Sequence, residues 1–480
     1  MDWPTLLCHE RPRPTPTQRQ IEEKRTEIVR DYGRAVFSTP VRRLQDKAQV
    51  FPLEPIDAVR TRLTHSLEVS SIARDLAHAV AERLRDEKLI NPQQAYEIEM
   101  IAATVGLIHD IGNPPFGHAG EQAMQDWFAG HPKVFKKFPA KQRKRLENDL
   151  RNFEGNAQTI RLLAKLQILS DRSGLNLTYA TLSAACKYTA NSLQIGKPNG
   201  HHDRSKLGYF ASEDDLIANI REKTGTDGAR NPITFLVEAS DDIVYSTVDI
   251  EDGVKKGVVS WGERVVDKKG GRVVNDRSIQ AGQIRAILDA NVAEIGELTL
   301  ADTADNAEKR IDECELKLTG RSRDEAIVQY FRTRVIGKAV AAVVDVFFQK
   351  YEAIMAGKYH GELLDDAKPV AGLYRVLKEE LGRKHVYPAK GNLRLELLGR
   401  NVIHQLMDLF FTADPNAKTR KFPGKAFQLL SQNYRTVFAT PIGNEVKLPP
   451  EYRRLQLITD YLCGMTDSFA TNLHRELFHG

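Results

Sequence analysis

The sequence predicts an all-α protein, built as a helical core followed by a helical C-terminal lobe. Three observations lead there. Apolar residues recur at helical spacing through most of the 480 residues. Gly and Pro gather at the ends of these periodic runs, where helices stop. Strand-like Val pairs between turn residues are confined to residues 254–275.

Residues 1–25 are Pro-rich and polar and are expected to form a mobile or loosely docked arm. From about residue 26 the pattern becomes helical. TRLTHSLEVSSIARDLAHAVAERLRDE places Leu63, Leu67, Val69, Ile72, Leu76, Val80 and Leu84 near one helical face. AYEIEMIAATVGLIHDIG reads as a second helix, ended by Gly112 and by Pro114-Pro115, which cannot continue it. GHAGEQAMQDWFAG restarts a helix after that break. NFEGNAQTIRLLAKLQIL, TLSAACKYTANSL and NPITFLVEASDDIVYSTVDIEDGV are further helical segments. Around residues 254–275, in the stretch GVKKGVVSWGERVVDKKGGRVV that starts at Gly253, short Val pairs around Lys-Lys-Gly-Gly predict a small β-hairpin or irregular insertion. Long helical patterns resume over 278–355 and 389–413, and YRRLQLITDYLCGMTDSFATNLHREL closes the chain. The expected division is an arm at 1–25, a core at 26–277 and a C-terminal lobe at 278–480.

Composition narrows the class without naming a function. With 41% hydrophobic and 28% charged residues the chain reads as a soluble globular protein. No apolar run reaches the roughly 18 residues of a membrane span, and the N-terminus lacks the basic-then-apolar order of a signal peptide. Cys8, Cys186, Cys314 and Cys463 lie far apart with no C-x-x-C pair. That fits reduced thiols in a cytoplasmic protein and argues against a structural zinc cluster. The net charge of +5 permits an anionic substrate or nucleic acid but demands neither. The P-loop, the Rossmann fingerprint and the G-x-S-x-G elbow are all missing, which removes kinase, dehydrogenase and serine-hydrolase readings.

The chemistry-bearing stretch is LIHDIGNPPFGHAGE, residues 107–121. His109 and Asp110 point about 100° apart on a helix, yet at its C-terminus both can converge on one ion. Further ligands must come from other helices, and His65 and Asp241 are the candidates, with Asp242 competing for the last place. Two imidazoles and two carboxylates suit a divalent ion between borderline and hard, such as Mn, Mg, Fe, Co or Zn. For each residue alone the ordinary reading, a hydrogen-bonded core or surface group on a helix, is the stronger one. The other His-Asp dipeptide, His202-Asp203 in the polar loop GKPNGHHDRSK, lacks apolar helical surroundings and is assigned to the surface. His118 and Glu121 stand at i and i+3, a spacing that lets a carboxylate orient an imidazole and raise its pKa for general acid–base work. Asp241, Tyr245 and Asp249 share one helix face.

The order His65, His109-Asp110, Asp241 is the H…HD…D signature of the HD phosphohydrolase superfamily. RTRLTHSLEV, HDIGNPPFGHAGE, FEGNAQ, EASDDIVYSTVDIEDG, GMTDSFA and STPVRRLQDKAQVFPLE together resemble the bacterial deoxyguanosine triphosphate triphosphohydrolases, over about residues 38 to 470. The resemblance implies an HD-type helical core, a divalent metal (Mg or Mn), and attack at the α-phosphorus of a deoxynucleoside triphosphate. The products would be deoxynucleoside and tripolyphosphate. It implies His65, His109, Asp110 and Asp241 as metal ligands and His118 and Glu121 as a catalytic pair. Gln49, Lys187, Tyr188, Lys206, Tyr245 and Asp249 would hold the sugar and phosphates. By weaker C-terminal similarity, Tyr387, Glu396 and Arg435 would read guanine. Many relatives carry a third His where this chain has Asn113, which leaves the role of that position open. The resemblance also favours a homo-oligomer, a hexamer, with the C-terminal lobe contributing to assembly.

Two basic segments remain. HPKVFKKFPAKQRKR, residues 131–145, carries seven Lys or Arg and no acid, and NAKTRKFPGK follows the same style at 416–425. They read as solvated loops, or as contacts for single-stranded DNA with Phe135 and Phe138 available for stacking. The competing functions are an HD hydrolase of another nucleotide, an alarmone or cyclic nucleotide, and a nucleic-acid-binding protein on an HD core. The Gly-Asn-Pro-Pro after His109-Asp110 departs from the Glu-Asp pair of alarmone hydrolases, and a retired enzyme would have lost ligands that are all present here.

Overall fold

The long helices start where their capping chemistry is complete. Thr61 and Thr64 form a reciprocal capping box at the head of the Arg62–Asp86 helix. Asn91 and Gln94 do the same for Pro92–Ile108, with Pro92 at the first helical position. These two helices pack side by side and are joined by Ser70 Oγ donating to the Ala103 carbonyl at 2.7 Å. Their approach is closest at Gly106, where a Cβ would lie 2.8 Å from the Ser70 Cα. Pro232–Lys255, capped by Asn231, lies against both. In this computed structural model residues 1–14, 25–51, 53, 56–167, 171–196, 201–262 and 283–479 are described.

The all-α expectation holds. Among the described residues the only β pairings are the isolated bridges Ala48–Thr61 and Ser260–Gln283. Of the expected insertion, residues 263–275 lie outside the described residues. Its first part ends the Pro232–Lys255 helix and continues as irregular backbone to residue 262. No described helix is long and apolar enough to cross a membrane.

Two expectations need correction. The N-terminal arm is docked over its described part: Trp3, Leu6 and Leu7 are buried, and the Trp3 indole donates to the Tyr351 hydroxyl at 3.0 Å. Arg11 is buried against Glu27 and Asp31. Apolar anchors and a paired guanidinium outweigh the proline content; residues 15–24 lie outside the described residues. The TLSAACKYTANSL helix stops at Ala184, so Lys187 and Tyr188 stand on irregular chain. The expected boundary at 277 lies outside the described residues. One apolar core joins Leu76, Val80 and Ile101 to Phe331, Phe347 and Leu381. The other joins Trp127, Phe153 and Phe210 to Phe410, Tyr452 and Leu462.

The turn after Ile108 is fixed from three sides. Gly112 N–H donates to Thr159 Oγ1 at 3.0 Å, Lys47 Nζ donates to the Asn113 carbonyl at 2.6 Å, and Phe116 N–H donates to Asp467 Oδ1 at 2.9 Å. Gly112 is required, because a Cβ there would meet the Gly155 carbonyl oxygen at 2.3 Å. The helix carrying His118 and Glu121 then runs from Gly117 to Gly130.

Candidate metal centre and substrate cleft

His65 occupies the first turn of its helix, His109 and Asp110 follow the end of theirs, and Asp241 sits midway along Pro232–Lys255. The packing of these three helices brings the four side chains together. His65 Nε2 lies 3.1 Å from Asp241 Oδ1, and His109 Nε2 lies 3.6 Å from both Asp241 Oδ1 and Asp110 Oδ2. Asp241 is the carboxylate that stands beside the imidazoles, and Asp242 forms no ion pair with either. His109 Nδ1 lies 2.7 Å from the Gly106 carbonyl, which fixes the tautomer with a proton on Nδ1 and a lone pair on Nε2. That Nε2 is buried and has no hydrogen-bond partner. A buried imidazole lone pair aimed between two carboxylates is the donor arrangement of a divalent-metal site, and the residues fit such an ion.

Cations and amides surround the quartet. Arg62 and Asn113 both donate to Asp110, the latter at 2.6 Å. Lys187 Nζ stands 3.8 Å from Asp241 Oδ2. Burial alone would raise both carboxyls. The Arg62 guanidinium and His109 outweigh it at Asp110, and His109, His65 and Lys187 do so at Asp241, so both are held well below the usual carboxylate range. Arg62 was not among the expected residues. Its place three residues before His65 on one helix face is the signal that could have found it.

The metal quartet opens into a cleft of about 580 Å³. His118, Gln49, Lys187, Tyr188, Lys206, Tyr245, Asp249, Tyr387 and Glu396 all line it, as expected. Gln49 Oε1 and Asp249 Oδ1 are buried polar atoms without partners. The Tyr387 hydroxyl donates to Asp249 Oδ2 at 2.9 Å, and burial pushes the Asp249 carboxyl up to about 8. Lys206 pairs with Glu154 at 3.3 Å. Lys378, Arg383, Glu154 and Glu362 also line the cleft. Lys378, Arg383 and Glu362 come from segments with no motif of their own; Glu154 stands in FEGNAQ, and sequence reasoning gave it no role.

Three expected features are not formed. His118 and Glu121 make no hydrogen bond to each other: Glu121 is buried and accepts from Gly155 N–H at 3.0 Å, while His118 opens onto the cleft. The expected rise in the His118 pKa is reversed, since enclosure and the Arg62 and Lys206 charges lower it. Burial and then Glu154 push the Glu121 carboxyl up to about 7. Arg435 lies away from the cleft, bonded to Gln428 and Gln432. Phe135 and Phe138 are buried against Phe128 and Tyr452 and offer no stacking surface. The surface assignment of His202-Asp203 is also overturned for Asp203, which is 2% exposed.

Fold and site define the class, a metal-dependent phosphohydrolase of the HD type: residues 62–184 match the family model described as HD domain. Over the whole length the chain is 35% identical to a "Deoxyguanosinetriphosphate triphosphohydrolase-like protein" of Listeria innocua, with 99% of each chain covered. It is 30% identical to a "Deoxyguanosinetriphosphate triphosphohydrolase" of Yersinia enterocolitica, again over 99% of each. The chain belongs to the deoxyguanosinetriphosphate triphosphohydrolase family, and it is an enzyme.

Proposed function

We propose that this enzyme hydrolyses deoxynucleoside triphosphates, dGTP foremost, to deoxynucleoside and tripolyphosphate. The observation that carries the reading is one cleft lined by His109, Asp110 and Asp241, by the cations Lys187 and Lys206, and by Gln49 and Asp249, whose buried oxygens lack partners. A divalent ion, Mg or Mn, held by His65, His109, Asp110 and Asp241 would acidify water and neutralise phosphate oxygens. Lys187, Lys206 and Arg62 meet the charge of the triphosphate. Gln49 and Asp249 receive the deoxyribose hydroxyl, and Tyr245 packs on the sugar between them and the metal.

Attack at the α-phosphorus breaks its bond to the 5′-oxygen, and the departing alkoxide requires a proton. His118 opens onto the cleft and is the group placed to move it. Glu121 accepts Gly155 N–H, which fixes the start of the Gly155–Arg161 helix behind the site rather than orienting His118. Glu396 offers an acceptor for the guanine edge and Tyr387 a ring beside it. Arg383, in place of Arg435, offers the donor from this chain.

Phosphorus NMR with each of the four deoxynucleoside triphosphates and GTP, in Mg or Mn, tests the reading. Tripolyphosphate is expected, fastest from dGTP. Orthophosphate or pyrophosphate as the first product would reject attack at the α-phosphorus, and equal rates on GTP would reject deoxyribose selection.

A further inference from the structure

The second His-Asp dipeptide leads to a cluster that shares no residue with the HD quartet. His201 Nδ1 lies 3.5 Å and His360 Nδ1 3.3 Å from the same atom, Asp203 Oδ1. The two imidazoles face each other with ring centroids 3.7 Å apart. The Asp203 side chain is 3% exposed, while the histidine rings are about a quarter exposed, at 26% and 28%. His201 Nδ1 and Asp203 Oδ1 are buried atoms with no hydrogen-bond partner. The other carboxylate oxygen is fixed by Thr189 Oγ1 at 3.2 Å, and His202 N–H donates to the His360 carbonyl at 3.1 Å, so the backbone holds the three side chains together.

Arg204 Nε stands 3.8 Å from Asp203 Oδ2, which leaves Oδ1, facing the two imidazoles, as the oxygen without a partner. Two imidazole nitrogens and a carboxylate oxygen converge on one point, and the buried ones would leave their lone pairs unsatisfied. The separations have a simple meaning. Tetrahedral ligands bound at ~2.0–2.1 Å stand about 3.3–3.4 Å from one another, close to the 3.3 Å and 3.5 Å between Asp203 Oδ1 and the two histidines. The rings, 3.7 Å apart, must swing apart to admit the ion.

We infer that His201, Asp203 and His360 form a second metal site, for zinc or a transition ion of similar preference. Imidazole donors in the majority disfavour Mg, which takes oxygen ligands. Three protein ligands leave the fourth position to a solvent molecule. The far-apart cysteines excluded only a thiolate zinc cluster, and this donor set contains none. The site ties the segment leading to Lys206 to the segment that ends at Glu362, and both of those residues line the substrate cleft. Its role is a cross-link between two cleft walls that are about 160 residues apart in sequence.

The test uses the full chain with the HD quartet disabled by His65→Ala and Asp110→Asn, stripped with chelator and titrated with Co and then Zn. One equivalent per chain is expected, with the visible d–d bands of four-coordinate cobalt and a rise in Tm on zinc addition. Adding His360→Gln, or the isosteric Asp203→Asn, is expected to weaken that equivalent at least about 100-fold, with the far-UV circular dichroism of the metal-free chain unchanged. In the otherwise wild-type chain, either change is expected to lower zinc uptake from two equivalents to one. No equivalent in the HD-disabled chain, or an equivalent that survives both Asp203→Asn and His360→Gln, would overturn the proposal.

Discussion

Asp241 and Asp242 are adjacent on one helix, so their side chains point about 100° apart, and only Asp241 faces the imidazoles. Asp241→Asn is expected to weaken Mn binding by at least about 100-fold, whereas Asp242→Asn retains it; metal content after gel filtration separates the two, and equal loss would contradict the geometry. Glu121 carries a different consequence. Its folded-state pKa, about 7, lies above the ordinary value of 4.5. The folded state therefore holds the extra proton between those values, and stability falls as pH rises from about 4.5 through 7. Gln at this position can still accept Gly155 N–H but does not ionise. Glu121→Gln should stabilise the chain at pH 8 relative to pH 5, by up to ~3 kcal/mol. Thermal melts at the two pH values read this directly, and parallel shifts would show that Glu121 ionises freely.

The element that sets the metal quartet is the contact between Arg62–Asp86 and Pro92–Ile108, which presents His65 beside His109. Gly106 controls the separation, and its carbonyl also holds the His109 tautomer. A methyl at this position would stand 2.8 Å from the Ser70 backbone, so one helix must move. Gly106→Ala is expected to cost roughly 1–3 kcal/mol of stability and to weaken metal binding with it. An unchanged urea midpoint together with unchanged Mn affinity would show that the two helices yield at no cost.

Across the whole molecule, distant parts of the chain are locked by buried charge. Arg161 contacts Asp460 at 2.8 Å, Glu213 at 2.9 Å and Glu445 at 3.2 Å, with every partner nearly inaccessible to water. Removing the guanidinium leaves three carboxylates buried together. Arg161→Ala is therefore expected to cost about 3–5 kcal/mol, measured by urea unfolding at pH 7. A loss under 1 kcal/mol would mean that water fills the gap. Lys47 plays a related part, donating to the Asn113 and Cys463 carbonyls and so fastening the His109 turn to the C-terminal helices.

What the sequence determined by itself was local. Helical periodicity marked the long helices, Pro114-Pro115 marked the break between His109 and His118, and the motifs around His65, His109-Asp110 and Asp241 pointed to the residues that gather at the candidate metal centre. The first two rest on neighbours within a turn or two of helix, which spacing records, and the third on the short motifs and the family they resemble. The tertiary structure decided everything that depends on which segment lies opposite. The Gly155 backbone claims Glu121 and leaves His118 alone on the cleft wall. The helical core takes Phe135 and Phe138 away from solvent. Lys378 and Arg383 reach the cleft from a segment without a motif, and Asp203 becomes a buried carboxylate with His360, from far along the chain, beside it. Contacts between residues far apart in the chain leave no periodic trace in the sequence, so only the packed fold reveals them.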